Sequence, residues 1–310
     1  MLDNFFNIQK DSKCIFAGLE IAGQDVLCHE WMNRWPVIFV TFKQVDGLDF
    51  ASAYEMLKQV VADVYKKHLY LLESEKIAEF DKKIIRRLVE RKGTDAETKN
   101  SFGLLTNAMQ AYYGQQVILL MDEYDVPVAK ANSNGYYTEM MDMMKGIMQP
   151  LKDNPALRFA VITGCLKIAK ESIFTGTNNF VSDTITDSRL NGYFGFTQKE
   201  VDRILQDAGA EKQAELVKMW YDGYHFGEFD VYCPWDVMNY LRDWQYNPNV
   251  KPVGYWKNTS DNAIIRSFID YAGSAITKKL EILLSGGYIV QQIDENLTYD
   301  YLHSLEDNLW

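Results

Sequence analysis

Short apolar runs alternate with amphipathic stretches in the first part of the chain. Three runs are rich in β-branched or aromatic residues and are bounded by polar residues, which is typical of strands buried on both faces of a parallel sheet. They cover residues 36–42, 117–121 and 157–163. Between residues 52 and 69, apolar side chains recur at intervals of three and four, which predicts an amphipathic helix. Strands that alternate with helices predict an α/β fold built from parallel βαβ units.

The pattern changes after about residue 193. Thr197 and Glu200 have the spacing of a capping box, which opens the first of several predicted helices. Farther along, two apolar stretches around a turn predict a hairpin within residues 287–301. We therefore predict two domains, an α/β core over residues 1–192 and a mainly helical lid with a small winged-helix-like hairpin over residues 193–310.

Composition limits the classes of function. The 310 residues carry a net charge of −11, which argues against a broad basic surface for nucleic acid or anionic membrane but leaves a local basic groove open. The four cysteines show no metal-ligand spacing, so we interpret them as free thiols in a reducing cytoplasm. The N-terminus lacks a secretory signal pattern, and no apolar run is long enough to span a membrane. The sequence therefore predicts a cytoplasmic protein with no membrane partner.

Three carboxylates, Asp122, Glu123 and Asp125, follow the apolar run at residues 117–121. Because unpaired charges are costly inside a core, we expect them at the carboxyl edge of the sheet, where open α/β sheets bind ligands. An apolar strand that ends in Asp-Glu has the Walker B pattern. In this pattern the Asp holds Mg²⁺ through a water in the coordination shell of the ion, and the Glu polarises the attacking water. Thr163 ends the next predicted strand and is expected at the same edge. The alternative is a strand that merely ends in solvated acids.

Several sequence blocks resemble the predicted AAA-ATPase-like family of bacteria. They keep the family's order along nearly the whole chain and cover residues 121–125, 159–172, 193–197, 221–227 and 258–260. The resemblance implies a parallel-sheet P-loop NTPase core of the ASCE/AAA-like kind and a helical lid. It also implies that a nuclease-like domain of the PD-(D/E)XK kind usually follows. ATP and Mg²⁺ are the cofactors that it implies, and ATP hydrolysis is the activity.

The resemblance also implies roles for the residues at the sheet edge. Asp122 would hold Mg²⁺ through a water and form part of the nucleotide site, and Glu123 would be the general base. Thr163 would act as a catalytic sensor that contacts the γ-phosphate. Asp125 would also belong to the nucleotide site, where it would help to hold water or metal.

Further contacts also follow from the resemblance. Lys167 and Lys170 would contact phosphate or a neighbouring subunit of a homo-oligomer, or else remain solvated lysines at the start of a helix. The expected partner is the nucleotide. Nucleic acid is expected to bind only through the nuclease-like domain, which these 310 residues do not include.

The sequence departs from the family at the phosphate-binding loop. No Gly-Lys-Ser or Gly-Lys-Thr occurs in the 310 residues, so the Walker A loop is missing. We therefore expect a core without its first strand, whose place would be beside the strands that end at Asp122 and Thr163. Both neighbours would then expose an unpaired edge. The chain is expected to be truncated at both ends, to bind ATP weakly and to be inactive alone.

Two alternative functions remain open. The first is a degenerate ATPase that does not hydrolyse nucleotide and acts as a protein-interaction module. The second is a metal-dependent nuclease that uses Asp122, Glu123 and Asp125. A nuclease core of the expected kind needs an acid-x-Lys motif on a strand, and the best match in this chain is Glu97 with Lys99, in a polar, charged stretch.

Overall fold

Three parallel strands form the sheet in the first part of the chain. They are β1 (Val37–Thr41), β2 (Val117–Asp122) and β3 (Leu157–Ile162), in the order β1-β2-β3. Thr41 is paired with Asp122, and Met121 is paired with Ile162, so the three strands end together at their carboxyl edge. β2 is buried from Val117 to Met121, which is what a continuous apolar run predicts for a central strand. This parallel sheet among helices confirms the α/β class.

The expectation that β2 has an unpaired edge is wrong. We expected a strand to be missing beside the strands that end at Asp122 and Thr163, which would leave both with an open edge. Instead, β2 pairs with β1 on one side and with β3 on the other, so both of its edges are satisfied. Of the two strands that end at Asp122 and Thr163, β3 resembles the expected edge strand, because it pairs on one side within the described residues and most of its side chains are half-buried.

The computed structural model describes residues 1–165, 180–256 and 274–291. These residues fall into two compact units, the first containing residues 1–165 and the second containing the rest. The predicted boundary between residues 192 and 193 stays a prediction. Across the described ranges, no helix combines the length and the apolar character that crossing a membrane requires.

Nine α-helices are described in the first unit, and several begin or end where the sequence provides a cap. Asp49 accepts a hydrogen bond from the Ser52 amide at the start of α4, and Thr94 with Glu97 forms a capping box at α6. Gly114 ends α7 in a left-handed conformation. The helices are α1 (Leu2–Phe6), α2 (Lys13–Phe16), α3 (Asp25–Trp31), α4 (Phe50–Lys66), α5 (Glu79–Val89), α6 (Asp95–Lys99), α7 (Ser101–Tyr113), α8 (Val126–Asn134) and α9 (Tyr137–Met148).

The second unit combines helices with a small antiparallel sheet. Its strands are β4 (Phe196–Thr197), β5 (Asp222–Phe226) and β6 (Phe229–Tyr232), in the order β4-β6-β5. Its helices are α10 (Gln198–Asp207), α11 (Ala214–Tyr221), α12 (Pro234–Tyr246) and α13 (Ser274–Leu284). The predicted capping box of Thr197 and Glu200 is present at α10. The winged-helix-like character expected for this part of the chain stays a prediction.

The described part of the second unit contains a hairpin that lies ahead of the predicted one in the chain. β5 and β6 are joined by Gly227 and Glu228, and the left-handed φ of +63° at Gly227 suits the first position of a two-residue hairpin turn. Residues 287–291 of the predicted hairpin are not in a strand, and residues 292–301 lie outside the described ranges.

Candidate active site at the carboxyl edge of the sheet

Asp122 and Thr163 meet at the carboxyl edge of the parallel sheet. Asp122 is the last residue of β2, and Thr163 directly follows β3. The Thr163 hydroxyl donates a hydrogen bond to Asp122 Oδ1 at an Oγ1–Oδ1 distance of 2.6 Å. The backbone supports this pair, because the Thr163 amide donates to the Met121 carbonyl at 2.9 Å and the Tyr124 amide donates to the Thr163 carbonyl at 3.2 Å. The two strand ends therefore hold the two polar side chains together.

Glu123 occupies a strained turn directly after β2. Its φ is +56°, a left-handed conformation that costs a residue with a Cβ about 1 kcal/mol. Such strain is retained where the surrounding structure fixes it, often at functional sites. The Glu123 side chain is half-buried, and desolvation raises the pKa of its carboxyl, with further contributions from the charges of Asp122 and Asp125. A raised pKa makes a carboxylate a better proton acceptor once it is ionised.

Asp125 is the most buried of the three predicted acids, with 3% of its surface exposed. Its Oδ2 accepts a hydrogen bond from the Cys165 amide at 3.0 Å, which ties the loop after β2 to the chain after β3. Gly164 directly precedes Cys165 in the chain, and a Cβ added at Gly164 would lie 2.5 Å from Asp125 Oδ1. The structure therefore gives Asp125 a structural contact, and its predicted role in holding water or metal stays a prediction.

Lys43 belongs to the same edge and was missed at the sequence level. It follows β1 by two residues, and β1 ends at Thr41, opposite Asp122. Its charge lowers the pKa of Glu123, against the larger effects of desolvation and the neighbouring acids. The loop after Lys43 is anchored by the Gly47 carbonyl, which accepts hydrogen bonds from the Tyr136 hydroxyl at 2.8 Å and Asn134 Nδ2 at 3.0 Å. The signal available in the sequence was a lysine just beyond a predicted parallel strand.

Comparison with known proteins assigns the chain to a family. The profile of the family described as Predicted AAA-ATPase matches residues 1–174, which is more than half of the chain. The chain belongs to this AAA-ATPase-like family. A protein of Azotobacter chroococcum mcd 1, named an uncharacterized protein in the vnfD 5′ region, is 30% identical over 168 residues. The match covers 54% of this chain and 31% of that relative, so the chain spans about a third of the relative's length. No solved structure gives a significant match.

The donors at the sheet edge suit a magnesium ion that also binds phosphate. In the described ranges, no three His, Cys, Asp or Glu side chains are grouped so that they could hold a metal ion together. Mg²⁺ in phosphate-transfer sites is typically held by only one or two carboxylates and by phosphate oxygens. Asp122 fits such a site in this AAA-ATPase-like chain, because Thr163 bonds its Oδ1 and no described residue bonds its Oδ2. Within the described residues, the site therefore leaves one carboxylate oxygen of Asp122 for a metal ion and has no complete cage of protein ligands.

The structure separates the nuclease motif from the acid cluster. Glu97 and Lys99 lie in helix α6 rather than on a strand. Glu97 forms an ion pair with Arg87, and Lys99 forms one with Asp142 at 2.5 Å. Both side chains of the acid-x-Lys motif therefore form ion pairs with other residues. Lys167 and Lys170 lie outside the described residues, so their predicted contacts stay predictions.

Proposed function

We propose that the carboxyl edge of this sheet is the metal-binding and water-activating half of an ATPase active site. The observation that carries the proposal is the 2.6 Å hydrogen bond from Thr163 to Asp122, with Glu123 as the next residue. A metal ligand, a polar side chain on the neighbouring strand and a general base are the parts that phosphoryl transfer to water requires beside the phosphate cradle. Membership of the Predicted AAA-ATPase family supports the same assignment.

Each residue has a distinct role in the proposed reaction. Asp122 would hold Mg²⁺, which supplies charge neutralisation at the phosphates when it is bound. Glu123 accepts a proton from the water that attacks the γ-phosphorus, and its raised pKa favours that step. Thr163 lies within hydrogen-bonding distance of the metal ligand, so the hydroxyl that would sense the γ-phosphate also orients the Asp122 carboxylate.

The phosphate cradle is the part that the 310 residues do not supply. They contain no G-x-x-x-x-G-K-[ST] motif, whose backbone amides and lysine provide much of the affinity for nucleotide in P-loop proteins. The proposal therefore assigns hydrolysis to a polypeptide that joins these residues to a glycine-rich loop. We refer to it below as the loop-containing polypeptide.

Calorimetric titration with Mg·ATP tests whether binding of the nucleotide requires the glycine-rich loop. We expect no binding of low-micromolar affinity to the 310-residue chain, and clear binding to the loop-containing polypeptide. Low-micromolar binding to the 310-residue chain would show that the phosphate cradle does not depend on a glycine-rich loop, and would overturn this part of the proposal. The coding DNA before Met1 provides an independent check, because an in-frame glycine-rich loop supports the ATPase. A stop codon directly upstream would favour the non-hydrolysing interaction module instead.

A further inference from the structure

A cleft of about 640 Å³ lies in the N-terminal part of the first unit. Its volume is in the range of pockets that bind small molecules. Arg34 lines it and precedes β1, so the cleft lies at the amino end of that strand. Asp122 is at the opposite, carboxyl end, so the five residues of β1 separate the two places by roughly 17 Å. The cleft is therefore distinct from the candidate active site.

Basic side chains dominate the polar lining of the cleft. Lys10, Lys13, His29 and Arg34 line it, against a single carboxylate from Asp11. The positive charges of Lys10, Lys13 and Arg34 contrast with the net charge of −11 of the whole chain. The cleft is the local basic groove that the composition left open. A concave site lined by groups of one sign attracts counter-ions of the opposite sign.

Three of these side chains are available to a ligand. Lys10 donates to Asp3 Oδ2 at 2.5 Å and to Asn4 Oδ1 at 2.6 Å, so its charge is already partly compensated. Lys13, His29 and Arg34 are exposed, and none of them forms an ion pair with the part of the chain that the structure describes. An arginine and a lysine are the side chains that most often bind phosphate oxygens, the arginine through its two-pronged guanidinium.

Asn33 holds the walls of the cleft together. It adopts a left-handed φ of +56°, and its Nδ2 donates to the carbonyls of Asn4 and Asn7, each at 3.0 Å. Its Oδ1 accepts a hydrogen bond from the Ser12 amide at 3.1 Å. One side chain therefore ties the segment between α1 and α2 to the segment that leads into β1. A cleft fixed in this way is preformed, which lowers the entropic cost of binding a ligand.

We propose that this cleft binds a compact anion with two or more phosphate charges, through Lys13, Arg34 and His29. The shared chemistry is a phosphate group, which could belong to a free small molecule or to the headgroup of a phospholipid. The proposal does not depend on the ATPase assignment, because it uses none of the residues at the carboxyl edge of the sheet. It assigns a metal-independent anion site to the first unit.

Calorimetric titration of the 310-residue chain with inorganic pyrophosphate in EDTA tests the site, since EDTA removes any metal-dependent binding. We expect binding that the double variant Lys13→Gln with Arg34→Gln weakens at least about tenfold. The matched control is Lys83→Gln with Lys92→Gln, which removes the same charge from exposed positions that do not line the cleft. Its affinity is expected to stay within about twofold of the wild type.

Sedimentation with phosphatidylcholine vesicles, with and without phosphatidic acid, distinguishes the two sources of phosphate. Pyrophosphate binding without vesicle binding supports a free small molecule as the ligand. Phosphatidic-acid-dependent sedimentation that the Lys13 and Arg34 double variant abolishes supports a headgroup. No binding in either experiment, or equal binding by the wild type and the double variant, overturns the proposal. Circular dichroism melting of each variant checks that the fold is intact.

Discussion

The Thr163 hydroxyl donates a hydrogen bond to the Asp122 carboxylate across two neighbouring parallel strands, at 2.6 Å. The contact links the end of β3 to the end of β2, and the Tyr124 amide reinforces it by bonding the Thr163 carbonyl. A hydroxyl that both contacts the metal ligand and faces the nucleotide site would couple phosphate sensing to metal binding. In the proposed site, this coupling would make Thr163 a sensitive position for substitution.

Replacement of Thr163 is expected to impair catalysis far more than folding. In the loop-containing polypeptide, Thr163→Ala should lower the rate constant of ATP hydrolysis by about 100-fold, because one preorganised donor is lost. Thr163→Ser keeps the hydroxyl and should retain most of the activity. The free energy of unfolding should change by less than about 1.5 kcal/mol, since Thr163 is exposed. If the Ala variant and the wild type have equal rate constants of hydrolysis, Thr163 has no role in catalysis.

Glu123 is expected to make stability depend on pH. Folding raises the pKa of its carboxyl above the ordinary value of 4.5, chiefly through desolvation. The folded state then binds the proton more tightly than the unfolded state, so ionisation of Glu123 lowers the free energy of unfolding as pH rises above that value. Glu123→Gln should therefore gain stability relative to the wild type between about pH 4 and about pH 8.

Urea unfolding at the two ends of that pH range measures the effect. Glu139→Gln, at an exposed carboxylate on α9, controls for the change from carboxyl to amide. A difference between Glu123→Gln and the wild type that stays constant with pH would contradict the raised pKa.

The left-handed backbone at Glu123 predicts an unusual order of stability between two small residues. At a φ of +56°, glycine is unstrained, whereas the left-handed conformation costs alanine about 1 kcal/mol of free energy. The Glu123→Gly variant should therefore be more stable than the Glu123→Ala variant. The same pair at the exposed helical residue Lys83 should show the reverse order by about 1 kcal/mol. Urea unfolding of the four variants provides the comparison. An alanine variant at position 123 that equals or exceeds the glycine variant would show that the turn is not strained.

Gly164 is expected to tolerate no side chain. A Cβ there would lie 2.5 Å from Asp125 Oδ1 and 2.6 Å from Cε1 of Tyr124, and both of these side chains are buried. Gly164→Ala should therefore lower the free energy of unfolding by about 1–3 kcal/mol. Gly23→Ala is the matched control, because a Cβ at Gly23 would meet no atom within 4 Å. Equal stability of the two variants in thermal or urea unfolding would rule out close packing around Gly164.

Local sequence patterns predicted the elements of the first unit well. The apolar run before Asp122 became a buried strand that ends at that residue, because five consecutive apolar residues can be satisfied only inside a core. The methionine-rich segment became α9, and its methionines are buried in the core. The four cysteines are free thiols, as expected from their spacing.

Features that depend on tertiary pairing could not be predicted in the same way. The direct pairing of β2 with β3 depends on which strand edges meet, and the apolar pattern of each strand is the same in either arrangement. The hydrogen bond from the Cys165 amide to Asp125 joins residues 40 positions apart, and no local pattern marks it. Likewise, no local pattern marks the contact of the exposed His225 with Asp230 across the hairpin, at 2.7 Å. That hairpin did have a local signal, the Gly227-Glu228 turn between aromatic residues.

Single-turnover hydrolysis of Mg·ATP by the loop-containing polypeptide and its Glu123→Gln variant is the decisive measurement. If Glu123 accepts the proton of the attacking water, the variant should bind Mg·ATP with an affinity within about threefold of the wild type. Its rate constant for hydrolysis should fall by at least about 100-fold, the contribution typical of a general base. Hydrolysis by the variant at the wild-type rate would contradict the assignment of this sheet edge as the water-activating half of an ATPase site.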